Sequence, residues 1–163
     1  GIDLIATLDD SGIFPEQSLY FIYTEEDKNK EELVFLTGLL NSKLMNVYYR
    51  NFAITNRDAT PQLKKVDLDK FPIIMPSQQI KGKINPIVLD LMKLQKPYLS
   101  ICSKVANSDT SKRGYYDLVE EKTKMKLEIG KFGLKLNDLV YELYGLNKND
   151  IKVIEESLKW LNF

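Results

Sequence analysis

Residues 84–105 read INPIVLDLMKLQKPYLSICSKV, and this stretch decides the fold of the second half of the chain. Its apolar residues recur at heptad spacing, which is the pattern of a long helix that packs one face on a partner. Asn85 and Pro86 suit the N-cap and first position of this helix, whereas Pro97 should kink the helix or end it early. The apolar positions are Ile84, Ile87, Leu91, Leu94, Tyr98, Ile101 and Val105.

A second stripe with the same period follows a polar linker at residues 106–114. Asp117 and Glu120 resemble a capping box for this second helix, and Gly145 is suited to cap its end. Two long helices joined by a short connection predict an antiparallel hairpin, and we expect a last short helix at residues 150–161. The second stripe consists of Leu118, Met125, Ile129, Phe132, Leu136, Leu139 and Leu143.

In the first half of the chain, the apolar patterns extend over shorter segments. Its patterning predicts strands at residues 3–8 and 19–24, and a short strand at 72–76 that is closed at both ends by proline. Apolar spacing of three and four predicts one helix from residue 31 to about 49. We therefore expect an α+β fold, with a small mixed or antiparallel sheet and a packed helix, followed by a long α-helical hairpin and a short C-terminal helix. The stripe of the first helix is Leu33, Leu36, Leu40, Leu44 and Val47.

The composition excludes several classes of chemistry. The 163 residues are 44% hydrophobic and 28% charged, as in an ordinary globular protein, and they contain no histidine and one cysteine, Cys102. Without histidine, catalytic triads and histidine metal centres are excluded, and we expect no catalytic, cofactor-binding or metal site. Cys102 lies on an apolar helix face and suits a small core residue, which fits a cytoplasmic setting. The chain begins at Gly1 with a segment that already has strand patterning, so we interpret it as a fragment of a longer protein.

The formal charge is zero, but it is unevenly distributed along the chain. Residues 1–35 carry a net charge of −7 and residues 137–163 a net charge of −2, whereas residues 36–83 carry +5 and residues 84–136 carry +4. A neutral chain of this kind can present one basic face to phosphate groups. Solvated charge scattered over the surface remains the alternative interpretation.

Residues 50–65, which read RNFAITNRDATPQLKK, form the most polar stretch of the basic region. They offer guanidinium, amide, hydroxyl and ammonium groups, which can pair with base edges in the major groove of DNA or hold phosphates. A surface loop whose polarity reflects only its exposure is the alternative.

Three stretches carry a family resemblance. LLNSKL at residues 39–44, followed by YYR at 48–50, resembles a helix of the C-terminal specificity domains of TaqI-like and type IIG adenine methyltransferases. KVDLDKFPI at 65–73 is similar to a strand of these domains that type I specificity subunits share. VYELYGL at 140–146 resembles the segment that ends many type IIG proteins. The three stretches occur in the order found in the family.

The resemblance implies a non-catalytic target-recognition domain of a restriction–modification adenine-N6 methyltransferase, bound to double-stranded DNA. Residues 1–83 would form the recognition core and 84–163 a helical support or docking region. S-adenosylmethionine, and Mg²⁺ if the parent enzyme also cleaves DNA, would belong to a catalytic domain upstream in the same chain. Candidate base-reading residues are Asn56, Arg57, Thr60 and Gln62, and candidate phosphate contacts are Lys43, Arg50, Lys64 and Lys65.

Two other function classes remain open from the sequence. The heptad-striped helices could form a protein–protein interaction or dimerisation module without DNA binding, and its association would be insensitive to salt, unlike groove binding. Asp67, Asp69 and Lys70 could instead serve a small nuclease, which would cleave DNA in a magnesium-dependent reaction.

Overall fold

The computed structural model describes residues 3–9, 11–12, 19–23, 30–55, 62–111 and 113–159. These residues are almost entirely helical, and the longest helices lie in the second half of the chain. The elements are α1 (Lys30–Leu40), α2 (Lys43–Tyr48), a π-helix (Tyr49–Ala53), β1 (Ile54–Thr55), β2 (Gln62–Leu63), α3 (Lys65–Leu68), α4 (Gln78–Ala106), α5 (Arg113–Leu143) and α6 (Lys148–Lys159).

The predicted α+β fold with a sheet is wrong. Within the described ranges, strand pairing is confined to β1 and β2, in which Ile54 lies opposite Leu63 and Thr55 opposite Gln62 in antiparallel register. Two residues per strand are fewer than the strands of ordinary sheets have. The pair is therefore too short to form a layer of the fold.

The segment predicted as a first strand is extended but has side chains, not a strand, as its partners. The backbone N–H of Leu4 donates to Asn46 Oδ1 (2.9 Å), and the N–H of Ala6 donates to Asn41 Oδ1 (3.1 Å). Asn41 Nδ2 in turn donates to the carbonyl of Ala6 (2.7 Å). A side-chain amide carries the same donor and acceptor as a peptide group. The alternation of residues 4–8 is therefore real, because one face of the segment packs on helices, but it does not indicate a sheet.

The segment predicted as a proline-bounded strand also has a side chain as its partner. The hydroxyl of Tyr144, just beyond α5, donates to the carbonyl of Pro72 (2.6 Å) and accepts from the N–H of Ile74 (3.3 Å). No regular secondary structure is present at residues 71–77. The described part of the second predicted strand, residues 19–23, has none either.

The predicted helix at residues 31–49 is interrupted. α1 ends at Leu40, and Ser42 adopts an extended conformation and accepts a hydrogen bond from the N–H of Met45, so it is the N-cap of α2. Serine is a preferred N-cap, which explains why a new helix begins here although the apolar spacing continues. The most buried face also differs from the predicted stripe, and its apolar members are Val34, Phe35, Leu39, Leu40 and Met45.

The helical hairpin is confirmed. Ile84 and Val88 near the start of α4 share the core with Leu136 and Val140 near the end of α5, so the two helices are antiparallel. α4 begins at Gln78, earlier than predicted, and it continues through both of its prolines to Ala106. The helix therefore does not end early at Pro97, and the alternative expectation of a kink there stays a prediction.

The C-terminal end of α5 closes as the sequence predicts. Gly145 has a φ of +62°, and the N–H of Leu146 donates to the carbonyl of Tyr141 (3.0 Å). This 6→1 hydrogen bond is that of a Schellman cap. The chain then enters α6, which begins close to the predicted residue.

The elements share one hydrophobic core, and α1 packs against α4 at the centre of this core. A Cβ added to Gly38 would lie 2.4 Å from Val88 Cγ2 and 3.4 Å from Leu136 Cδ1, so the glycine permits the close approach. No helix in the described ranges is both long and apolar enough to cross a bilayer. The core residues are Val34, Phe35, Leu39, Leu40, Met45, Tyr49, Ala53, Phe71, Ile84, Val88, Leu136 and Val140.

Candidate nucleic-acid interface

The β1–β2 pair brings two points of the polar stretch side by side. Because Thr55 lies opposite Gln62, their Cα atoms are about 5 Å apart, as in paired strand residues. Gln62, a candidate base-reading residue, has its backbone in this pair. The candidates Asn56, Arg57 and Thr60 lie outside the described residues.

Two candidate phosphate contacts follow β2 directly. Lys64 is exposed, and it precedes α3 in an extended conformation without a side-chain cap hydrogen bond. Lys65 has a side chain that is 79% exposed and lies 3.4 Å from Asp69 in an i,i+4 ion pair. Exposed ion pairs of this kind contribute little to stability, so Lys65 can exchange Asp69 for a phosphate at small cost.

The other two candidate phosphate contacts have internal partners. Arg50 pairs with Asp3, and its side chain is only 15% exposed, so it ties the extended N-terminal segment to the π-helix. Lys43 Nζ lies 2.5 Å from Glu155 Oε2, and Tyr141 donates to the other oxygen of that carboxylate (3.0 Å). A phosphate contact by Arg50 or Lys43 would have to replace these interactions, and it stays a prediction.

The carboxylates of the nuclease alternative are paired with nearby lysines. Asp67 lies 3.2 Å from Lys70 Nζ, and Asp69 pairs with Lys65. No group of three acidic or cysteine side chains that could hold a metal ion occurs in the part of the chain that the structure describes. Both carboxylates thus lie in local ion pairs in this structure.

An aromatic column runs from the core to the surface beside the strand pair. The rings of Phe71 and Tyr48 are 5.2 Å apart, edge to face, and the rings of Tyr48 and Phe52 are also 5.2 Å apart. Phe71 is buried, whereas Phe52 is 74% exposed. The hydroxyl of Tyr48 donates to the carbonyl of Lys70 (3.0 Å), which fixes the middle ring.

The column ends on the π-helix, a feature that the sequence analysis missed. Tyr49 and Ala53 on this element are buried, whereas Phe52 is exposed. π-Helical turns are rare and occur frequently at functional sites. The i,i+4 spacing of Tyr48 and Phe52 is a signal that could have identified the ring pair.

Three tyrosines with shifted pKa values serve structural roles. Burial raises the pKa of Tyr49, and the Asp3 carboxylate raises it further. Burial also raises the pKa of Tyr141 well above its ordinary value, with a second contribution from the hydrogen bond to Glu155. Burial raises the pKa of Tyr144 as well. All three phenols therefore remain protonated at neutral pH, and those of Tyr141 and Tyr144 act as hydrogen-bonding groups.

A comparison with protein families gives a match to the part of the molecule that contains the strand pair. Residues 1–73 match the family described as the TaqI-like C-terminal specificity domain. This match indicates a DNA-recognition role in a restriction–modification enzyme, and the matched family is non-catalytic. It covers less than half of the chain, and no curated protein or solved structure matches.

The specificity-domain match contains all eight candidate DNA-contacting residues and the elements from α1 to the segment that follows α3. The stretch at residues 140–146, which also carried the resemblance, lies beyond it. The structure connects that stretch to the matched region, because Tyr144 binds the backbone of Pro72 and Ile74.

The residues of the resembling motifs hold elements of the fold together. Asn41 binds the N-terminal segment, and Ser42 caps α2. The backbone N–H of Lys43 donates to the buried side chain of Asn137 on α5 (2.8 Å). The described residues of these motifs therefore contribute to the scaffold on either side of the polar stretch.

Proposed function

We propose that this chain is the target-recognition domain of a restriction–modification adenine-N6 methyltransferase of the type IIG kind. It would bind double-stranded DNA and read its sequence, while methylation is performed elsewhere in the parent enzyme. The observation that carries the proposal is the specificity-domain match over residues 1–73, which includes the strand pair and the polar stretch that this pair closes.

The proposed reading of bases follows from the chemistry of the polar stretch. A guanidinium such as that of Arg57 can make a bidentate contact with guanine, and side-chain amides such as those of Asn56 and Gln62 can do so with adenine, with Thr60 as an adaptable hydrogen-bonding group. Lys64 and Lys65, exposed at the base of the stretch, would contact phosphates and hold the register.

The proposed division of labour assigns support to the second half of the chain. α4 begins beneath α1, where Asn85 Nδ2 donates to the carbonyl of Glu31 (2.9 Å) and Lys81 pairs with Glu32 (3.1 Å). The hairpin would thus carry the recognition core and dock it on an upstream catalytic domain. S-adenosylmethionine, and Mg²⁺ for any cleavage, would bind upstream, and the enzyme would act in the cytoplasm.

Selection from a library of randomised DNA duplexes tests the proposal. The full-length protein should enrich one short sequence, and the logarithm of its binding constant should fall with the logarithm of salt concentration by about 0.9 for each phosphate contact. The absence of an enriched sequence would refute it, whatever the salt dependence of binding.

A helical interaction module without DNA binding is the second candidate. It is favoured by large apolar side chains that the hairpin leaves exposed. In that case the protein would form an oligomer of constant size between low and high salt, and the DNA library would yield no sequence. The exposed side chains are Leu99, Tyr116, Leu127 and Leu134.

A further inference from the structure

Phe52 is exposed although phenylalanine is among the residues most often buried. Its side chain is 74% accessible, and it lies two residues before β1. Single exposed apolar residues are ordinary on protein surfaces, so exposure alone assigns no role. The support behind the ring and the groups around it distinguish this phenylalanine.

The ring is supported from behind by the aromatic column. Tyr48 occupies the inner side of Phe52, and Tyr48 itself rests on the buried ring of Phe71. The Tyr48 hydroxyl is bonded to the backbone at Lys70, so the supporting ring is held at both ends. Phe52 is therefore a preorganised apolar projection, which loses little side-chain freedom when it enters a contact.

The groups around Phe52 fit a nucleic acid. β1 and β2 place its neighbours beside Leu63, after which the exposed cations Lys64 and Lys65 follow. A second exposed aromatic residue, Tyr20, donates its hydroxyl to the carbonyl of Leu63 (2.9 Å) on the other strand of the pair. Aromatic rings interleaved with cations suit a ligand with a charged backbone and flat apolar bases.

We propose that Phe52 is an apolar wedge that inserts at a base step of the bound duplex, next to the bases that the polar stretch reads. Proteins that deform DNA use apolar side chains in this way, and the insertion unstacks one step and kinks the helix. The inference rests on the proposed DNA-recognition function and adds a distortion of the duplex to it. An enzyme that methylates adenine must extrude the base, and a kinked neighbouring step favours this extrusion.

Base unstacking can be measured with the duplex enriched from the randomised library, in which 2-aminopurine replaces one base at a time. Binding of the full-length protein should raise the fluorescence at one step. Phe52→Ala should abolish this rise and weaken binding to the enriched duplex by about tenfold, as the loss of a base–aromatic contact does. Affinity for unselected duplexes should stay unchanged, because phosphate contacts dominate there.

Two variants serve as controls. Phe52→Leu should retain part of the fluorescence rise, because leucine also acts as a wedge. Tyr116→Ala removes a ring that is 68% exposed on α5, far along the chain from the strand pair, and should change neither fluorescence nor affinity. Thermal unfolding of each variant checks that the fold is intact.

The outcomes separate the two proposals. If the wild-type protein enriches a sequence but shows no unstacked step, or if the rise persists in Phe52→Ala, the wedge is refuted and DNA recognition stands. If the wild-type protein enriches nothing, DNA recognition fails and the wedge fails with it.

Discussion

At the scale of single residues, side-chain amides and one phenol perform the work that a strand ladder performs in a sheet. Asn41 presents a donor and an acceptor to Ala6, Asn46 accepts from Leu4, and Tyr144 bridges Pro72 and Ile74. Unpaired backbone groups are costly where they are shielded from water. These side chains therefore allow two extended segments to pack on helices.

We expect Asn41→Ala to lower the free energy of unfolding by about 1 kcal/mol, because two backbone groups of Ala6 lose their partner. Urea unfolding monitored by circular dichroism measures the change. Asn51→Ala is the matched control, since Asn51 is exposed and its amide donates to the carbonyl of Val47 one turn earlier in the same segment. Equal destabilisation by the two substitutions would contradict the bridging role of Asn41.

Tyr141 makes the stability of the fold depend on pH in the alkaline range. Its pKa is raised in the folded protein by burial and by Glu155, so the unfolded chain releases the phenolic proton first. The associated stability is fully present below the unfolded pKa of about 10 and is lost as the pH rises toward the folded pKa. Urea unfolding at about pH 9 and about pH 11 should therefore show a smaller loss for Tyr141→Phe than for the wild type. Equal losses would indicate that other groups cause the alkaline instability.

At the scale of elements, the spacing of apolar residues predicts some features of the fold and not others. The hairpin follows from the sequence because heptad spacing persists over α4 and α5, and a short linker joins them. Alternation at residues 3–8 correctly predicts an extended segment with one buried face, but period does not identify what covers that face. The break between α1 and α2 depends on the N-cap at Ser42, and the π-helix depends on local packing. Neither feature interrupts the apolar spacing of the sequence.

The crossing of α1 and α4 depends on the missing side chain of Gly38. Gly38→Ala should lower the free energy of unfolding by about 1–3 kcal/mol, because the new Cβ would overlap the stiff, buried Val88. Gly130→Ala is the matched control. It lies on the open surface of α5 and should stabilise the protein by about 1 kcal/mol, as helix propensity predicts. A stabilising effect of both substitutions in urea unfolding would contradict the close approach.

At the scale of the whole molecule, the basic middle of the chain separates into two groups. Arg50 and Lys43 hold the fold through Asp3 and Glu155, whereas Lys64 and Lys65 are exposed beside the strand pair. Sequence composition identified the basic region but could not distinguish these groups, because the partners are up to 112 residues away in the chain.

The separation of roles has a measurable consequence for DNA binding. The double variant Lys64→Ala, Lys65→Ala should weaken binding to all duplexes and reduce by about two the slope of the logarithm of the binding constant against the logarithm of salt concentration.

Arg57→Ala should instead make the free energy of binding to the enriched duplex less favourable by about 1–3 kcal/mol or relax the preference at one base pair. Fluorescence anisotropy over a range of salt concentrations measures both. The assignment fails if the lysine variant changes sequence preference, or if Arg57→Ala leaves binding and preference unchanged.

The hydrophobic core also constrains when the chain can complete its folding during synthesis. Its first member, Val34, leaves the ribosome about a hundred residues before its last, Val140. Until α5 emerges, Gly38 and its neighbours on α1 lack the Leu136 side of their packing. The nascent chain therefore carries an uncovered apolar surface while the residues between α1 and the end of α5 are synthesised, and such surfaces are prone to aggregate. The elements on either side of residues 50–65 thus become fully supported only after α5 has been translated.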